Sequence, residues 1–106
     1  MLKYTVLLFF LLVSIFLAGI SNIYADDGKD IFINKCGSCH KSRGEAAAFA
    51  PTKYASTQWD RFFQRDKHKR KKDISADYTE SEITAVRAYL INHAADSDQP
   101  EAVGLR

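Results

Sequence analysis

Cys36-Gly-Ser-Cys39-His40 places two thiols and an imidazole within five consecutive residues. Thiols spaced three apart stand about one helical turn from each other, and a histidine directly after the second is turned toward the same side. Such a group can form a redox disulfide, share a metal ion, or bond to one flat macrocycle whose metal the histidine binds. Each option makes a demand on the rest of the chain. A thioredoxin-like pair needs a βαβ setting, yet no alternating run of β-branched residues follows residue 25. A structural zinc site needs four ligands, and beyond its two cysteines the chain could draw only on His40, His68 and His93. A structural disulfide closing so small a loop would constrain the unfolded chain little. The motif therefore reads as a c-type haem attachment sequence, with Cys36 and Cys39 as thioether anchors of one covalent haem c and His40 as the proximal iron ligand. Gly37 and Ser38 are small enough to let a macrocycle approach the backbone.

The far side of the iron is less constrained. The single methionine is Met1, so the region around the motif has no thioether to offer. The candidates are His68, His93, a lysine or asparagine, water, or an open position. His68 is the first choice for the distal ligand, 28 residues beyond His40 (68 − 40) and ahead of the final helix; its alternative role is that of an exposed histidine in a basic run. His93 is the second choice, because it continues the stripe Ile83, Val86, Leu90. A histidine in the last turn of a helix also interacts favourably with the helix dipole, with no ligand role at all. Lys67, Lys69, Arg70, Lys71 and Lys72 around His68 disfavour a protonated imidazole. They also disfavour the ferric cation, which offsets part of the drop in potential expected when histidine replaces methionine.

The elements that must position these groups read as helices. Asp27 to Cys36 predicts a short helix running into the motif, with Ile31 or Phe32 on its inner side. Gly37 to Ala55, with Gly44, Ala46-Ala47-Ala48 and Pro51, reads as a loop wrapping around something. Thr57 with Asp60 suggests a helix start, and Trp59, Phe62 and Phe63 recur at helical offsets, predicting a helix from about Gln58 into the late sixties. These aromatics, with Tyr89, are expected to pack the core and the haem, and Tyr54, Tyr78 and Trp59 are candidate donors to a haem propionate. Thr79-Glu-Ser-Glu82 is a capping box opening a helix over 80–95, whose face carries Ile83, Val86, Leu90 and Ala94. The tail Glu101 to Arg106 has too little apolar content to predict docking. The expected fold is all-α, a small domain of three to four helices around one covalent haem.

Met1-Leu-Lys3-Tyr gives a short positive start, Thr5 to Ile20 an apolar run of 16 residues, and Ser21 to Ala25 a small-residue processing region. Residues 1–25 are expected to be a signal peptide cleaved after about Ala25, and residues 26–106 the haem domain. The alternative is an uncleaved anchor giving membrane association, since the run lies just below the roughly 17 to 25 apolar residues that span a bilayer. Removing residues 1–25 from the 106 leaves 81, and losing Lys3 brings the basic count from 15 to 14 against 13 acids. That length excludes a two-domain enzyme, and the near-neutral balance argues against nucleic-acid binding. So small a domain gains from a covalent cofactor at its centre. The charge is polarised: residues 61–72 hold seven basic side chains against Asp66, whereas residues 73–106 hold seven acids against Arg87 and Arg106. The basic run is either a solvated loop or a docking face for an acidic redox partner.

Together these features resemble the class I cytochromes c. In that family a helix leads into Cys-x-x-Cys-His and a C-terminal helix packs across it. Asp27 to Phe32 and Ala88-Tyr-Leu90 are similar to the positions where the two helices cross. Ala50-Pro51, Trp59, Phe63, His68 and Ala94-Ala95-Asp96 further resemble the short bacterial dihaem cytochrome c family, although this chain has a single Cys-x-x-Cys-His and so one haem. The resemblance implies an exported, periplasmic monohaem carrier of single electrons rather than an enzyme. It implies bis-histidine ligation with His68 distal, and loading by the cytochrome c maturation machinery. The alternative is a haem enzyme or gas-binding protein with an open or labile distal site.

Overall fold

The computed structural model describes the backbone of residues 1–18 and 23–106, with side-chain surroundings for residues 1–12 and from residue 27 onward. The expected processing region, Ser21 to Ala25, falls partly outside the described residues. Helix α1 (Leu2–Ala18) carries the apolar run, and its described side chains from Leu2 to Leu12 are exposed. No helix among the described residues is long and apolar enough to cross a membrane.

The domain is all-α, as the sequence predicts. Helix α2 (Ile23–Ile31) runs into a π turn at Phe32–Cys36 and a short helix α3 (Gly37–Cys39). A 3-10 turn at Pro51–Lys53 leads to α4 (Ser56–Gln64), a second 3-10 turn at Lys67–Arg70 follows, and α5 (Glu80–Asn92) is the last helix. Among the described residues the only β-type pairing is an isolated bridge between His40 and Ala46.

Helices α2 and α5 touch backbone to backbone. A Cβ on Gly28 would stand 2.3 Å from the Ala85 carbonyl and 2.8 Å from Tyr89 Cβ, so this crossing needs a residue without a side chain. One turn further on, Phe32 enters the core beside Tyr89, with ring centres 5.5 Å apart. The core is Phe32, Trp59, Val86, Tyr89, Leu90 and Ala94. Burying such side chains is what makes helices this short persist, since isolated helices of their length are marginal in water. Of the two inner candidates at the end of α2 and the start of the π turn, Phe32 is buried and Ile31 half-buried, while Ile33 faces out.

Both capping groups expected at Thr79 are present: Glu82 N–H donates to Thr79 Oγ1 and Thr79 N–H to Glu82 Oε1. The start of α4 differs from expectation. Its first helical residue is Ser56 rather than Gln58, and Thr57 is not its cap. Asp96 supplies the cap from 40 residues away, accepting from both Ser56 N–H (2.7 Å) and Ser56 Oγ–H (2.8 Å). These two donors hold the Asp96 carboxyl below the usual carboxylate range. Helix α5 ends at Asn92, three residues short of the predicted limit, because Ala95 N–H turns to the Tyr54 carbonyl. The C-terminal tail docks. Leu105 N–H donates to the Phe49 carbonyl, Glu101 N–H to that of His93, and Leu105 packs against the core. Gly104 passes so close that a Cβ would meet the Phe49 oxygen at 2.3 Å.

Candidate functional site

The π turn determines where the motif points. Gly37 N–H donates back to the Phe32 carbonyl, a wide turn that inserts one residue between the buried Phe32 and the first thiol. Each helical residue rotates the chain by about 100°, so the insertion re-aims the whole motif relative to the core. Regular helix then resumes, and His40 N–H donates to the Cys36 carbonyl at 2.9 Å, stacking His40 one turn beyond Cys36. Both cysteines are free thiols and partly exposed. Burial pushes the Cys36 thiol pKa up, and the Tyr78 hydroxyl donates to its sulfur at 3.9 Å. The Cys39 thiol faces Glu45 Oε2 at 3.3 Å. The space at Gly37 is taken by Leu105, whose Cδ2 a Cβ would meet at 3.1 Å; the small residue serves the docked tail, a role the sequence did not suggest.

His40 leaves the helix and is gripped by the loop that follows. Its Nδ1 stands 2.8 Å from the Ala47 carbonyl, and its ring meets the edge of Phe49 at 4.9 Å between centres. Phe49 in turn contacts Phe32 and Trp59, which ties the imidazole to the core.

His68 lies in the 3-10 turn after α4, where Asp66 takes a left-handed conformation (φ 48°) that aspartate tolerates better than most residues. Its Nδ1 stands 2.8 Å from the Lys72 carbonyl, and its ring lies beside Phe62. The rings of His40 and His68 meet in an edge arrangement, with centres 6.2 Å apart and planes at 72°. A carbonyl oxygen only accepts, so Nδ1 is the donor in both rings and Nε2 is the nitrogen left to meet a metal. This is the arrangement usual for metal-binding imidazoles, whose second nitrogen donates to a carbonyl or carboxylate.

The structure thus brings together Cys36, Cys39, His40 and His68. It does not bring His93 to them. The His93 ring packs on Tyr89 at 4.8 Å and its Nδ1 is 2.7 Å from the Gln99 carbonyl, at the C-terminal end of α5. Of the three candidate propionate donors, Trp59 is already committed, its Nε1–H donating to the Pro51 carbonyl at 2.8 Å.

The cytochrome c family model matches residues 25–90, which is more than half of the chain. The chain belongs to the cytochrome c family. Searches of curated proteins and of solved structures returned no match. As a class I cytochrome c it binds covalent haem c, and in general terms it is a haem-binding electron-transfer protein. Its residues fit the group: two free thiols on one turn, followed by an imidazole whose Nε2 is available. Two site features of this cytochrome were not visible in its sequence. One is the π turn. The other is Glu45, which contacts both Cys39 and Lys72 (2.9 Å), its carboxyl held below the usual range by those partners.

Proposed function

We propose that the protein is an exported monohaem cytochrome c that carries single electrons between redox partners, with His40 and His68 as the two axial iron ligands. The observation that carries this reading is the 6.2 Å between the two ring centres. Metal–imidazole bonds of about 2 Å on opposite sides of one ion put two ring centres roughly 6 Å apart. Bound haem supplies a one-electron ferric–ferrous couple. The chain's own groups hold that couple in place: Cys36 and Cys39 anchor it, two backbone carbonyls fix the imidazole tautomers, and Phe49 and Phe62 back the two rings. With both imidazoles holding the iron, transfer of an electron through an exposed edge would be the chemistry left, and no catalytic acid, base or nucleophile would be required.

The partner is an acidic redox protein. Arg61, Arg65, Lys67, Lys69, Arg70 and Lys71 are exposed beside His68, and no salt bridge engages them among the described residues. Residues 1–25, basic at Lys3 and then apolar, support export to the periplasm followed by haem loading there by the maturation machinery; retained uncleaved, they would keep the domain at the membrane. The reading is tested by mixing reduced holoprotein with an oxidised acidic blue-copper protein. Complete one-electron reoxidation is expected, with a rate that falls as salt rises because complementary charge speeds encounter. Rapid stoichiometric carbon monoxide uptake without electron passage would instead indicate an open-site enzyme or gas binder.

A further inference from the structure

Apart from the contact between the two imidazole rings, the loops that present them are joined by one side-chain ion pair. Lys72 Nζ stands 2.9 Å from Glu45 Oε2, and among the described residues no other hydrogen bond or ion pair links the loop after Cys39 to the His68 segment. Each partner sits where it can act on a ligand. Glu45 precedes Ala46, whose N–H donates to the Cys39 carbonyl, and Ala47, whose carbonyl holds His40 Nδ1. On the other side, Lys72 N–H donates to the His68 carbonyl and the Lys72 carbonyl receives His68 Nδ1. The segment that Lys72 ends is dense in unpaired positive charge, which repels itself and favours a looser loop.

We propose that the Glu45–Lys72 pair is a clasp that holds the His68 segment against the His40 loop and so sets how often His68 leaves the iron. Both are positioning residues, and the inference rests on the ligand role proposed for His68. The Cys39 thiol also donates to Glu45 at 3.3 Å. With the Cys39 sulfur committed to a thioether, Lys72 would be the remaining side-chain donor to Glu45. The clasp is therefore asked to work in the holoprotein, where the ligand must be kept.

Both side chains are exposed, at 49% for Lys72 and 63% for Glu45, so the expected effect is small but measurable. At saturating carbon monoxide, binding to the ferrous holoprotein is limited by departure of the distal ligand. Glu45→Gln and Lys72→Met should each raise that limiting rate about two- to five-fold, the range open to an exposed ion pair. The charge-swapped double variant Glu45→Lys with Lys72→Glu should return it toward the wild-type value, while the unfolding midpoints stay unchanged. Single variants with the wild-type limiting rate would overturn the clasp while leaving His68 as ligand. A wild-type rate that climbs linearly with carbon monoxide and never saturates would overturn the clasp and the ligand role together.

Discussion

Replacing His68 by alanine should convert a low-spin holoprotein, slow to bind carbon monoxide, into a high-spin one that binds it rapidly. The expectation follows from two features of His68. Its ring centre lies 6.2 Å from that of His40, and its Nδ1 is held on the Lys72 carbonyl, which leaves Nε2 as the nitrogen available to the iron. Removing the ring leaves one imidazole on the iron and a weak or absent sixth ligand. No methionine lies in the domain to take over the position. Added imidazole should restore the low-spin spectrum. His93→Ala is the matched control and should leave spectrum and carbon monoxide kinetics unchanged, since that ring is engaged with Tyr89 and the Gln99 carbonyl. Absorption spectra of the two variants, oxidised and reduced, check both statements; the reverse pattern would move the distal assignment to His93.

The second large effect is on stability. Phe32→Ala should cost about 3 to 5 kcal/mol, a large share of the roughly 5 to 15 kcal/mol that holds a typical domain folded. Phe32 is 1% exposed and wedged between Phe49 and Tyr89, at 5.3 and 5.5 Å between ring centres, where α2 crosses α5. Deleting the ring leaves a cavity that the close Gly28 contact prevents the helices from closing. Phe49 also supports His40, so the same substitution should loosen the proximal loop. The neighbouring Ile33 is 49% exposed, and Ile33→Ala should stay within about 0.5 kcal/mol. Urea unfolding of the two holoproteins, compared at constant slope, measures both.

What could be read from the sequence was the part that local pattern determines. The Cys36–His40 motif, the Thr79–Glu82 capping box, the buried face of α5 and the absence of strands among the described residues each depend on residues a few positions apart. Features made by distant residues could not be read that way. Asp96 caps α4 across 40 positions, and Leu105 docks on Gly37 although the tail is poor in apolar residues. His68 and His93 illustrate the limit. Each has its Nδ1 on a nearby carbonyl, and only the packing of the 3-10 turn against the His40 loop separates them. The π turn was hidden for a different reason: Phe32 to Cys36 has an ordinary helical composition, and the extra residue shows only in the backbone bond from Gly37 to Phe32.

The central claim, two neutral imidazoles on one iron, is tested most directly by the near-infrared magnetic circular dichroism of the oxidised holoprotein. That charge-transfer band distinguishes histidine–histidine ligation from histidine–amine, histidine–methionine and water-ligated iron. The expected result is a single low-spin species with the histidine–histidine band. A high-spin spectrum, or a low-spin band of the histidine–amine type from one of the lysines around His68, would contradict it.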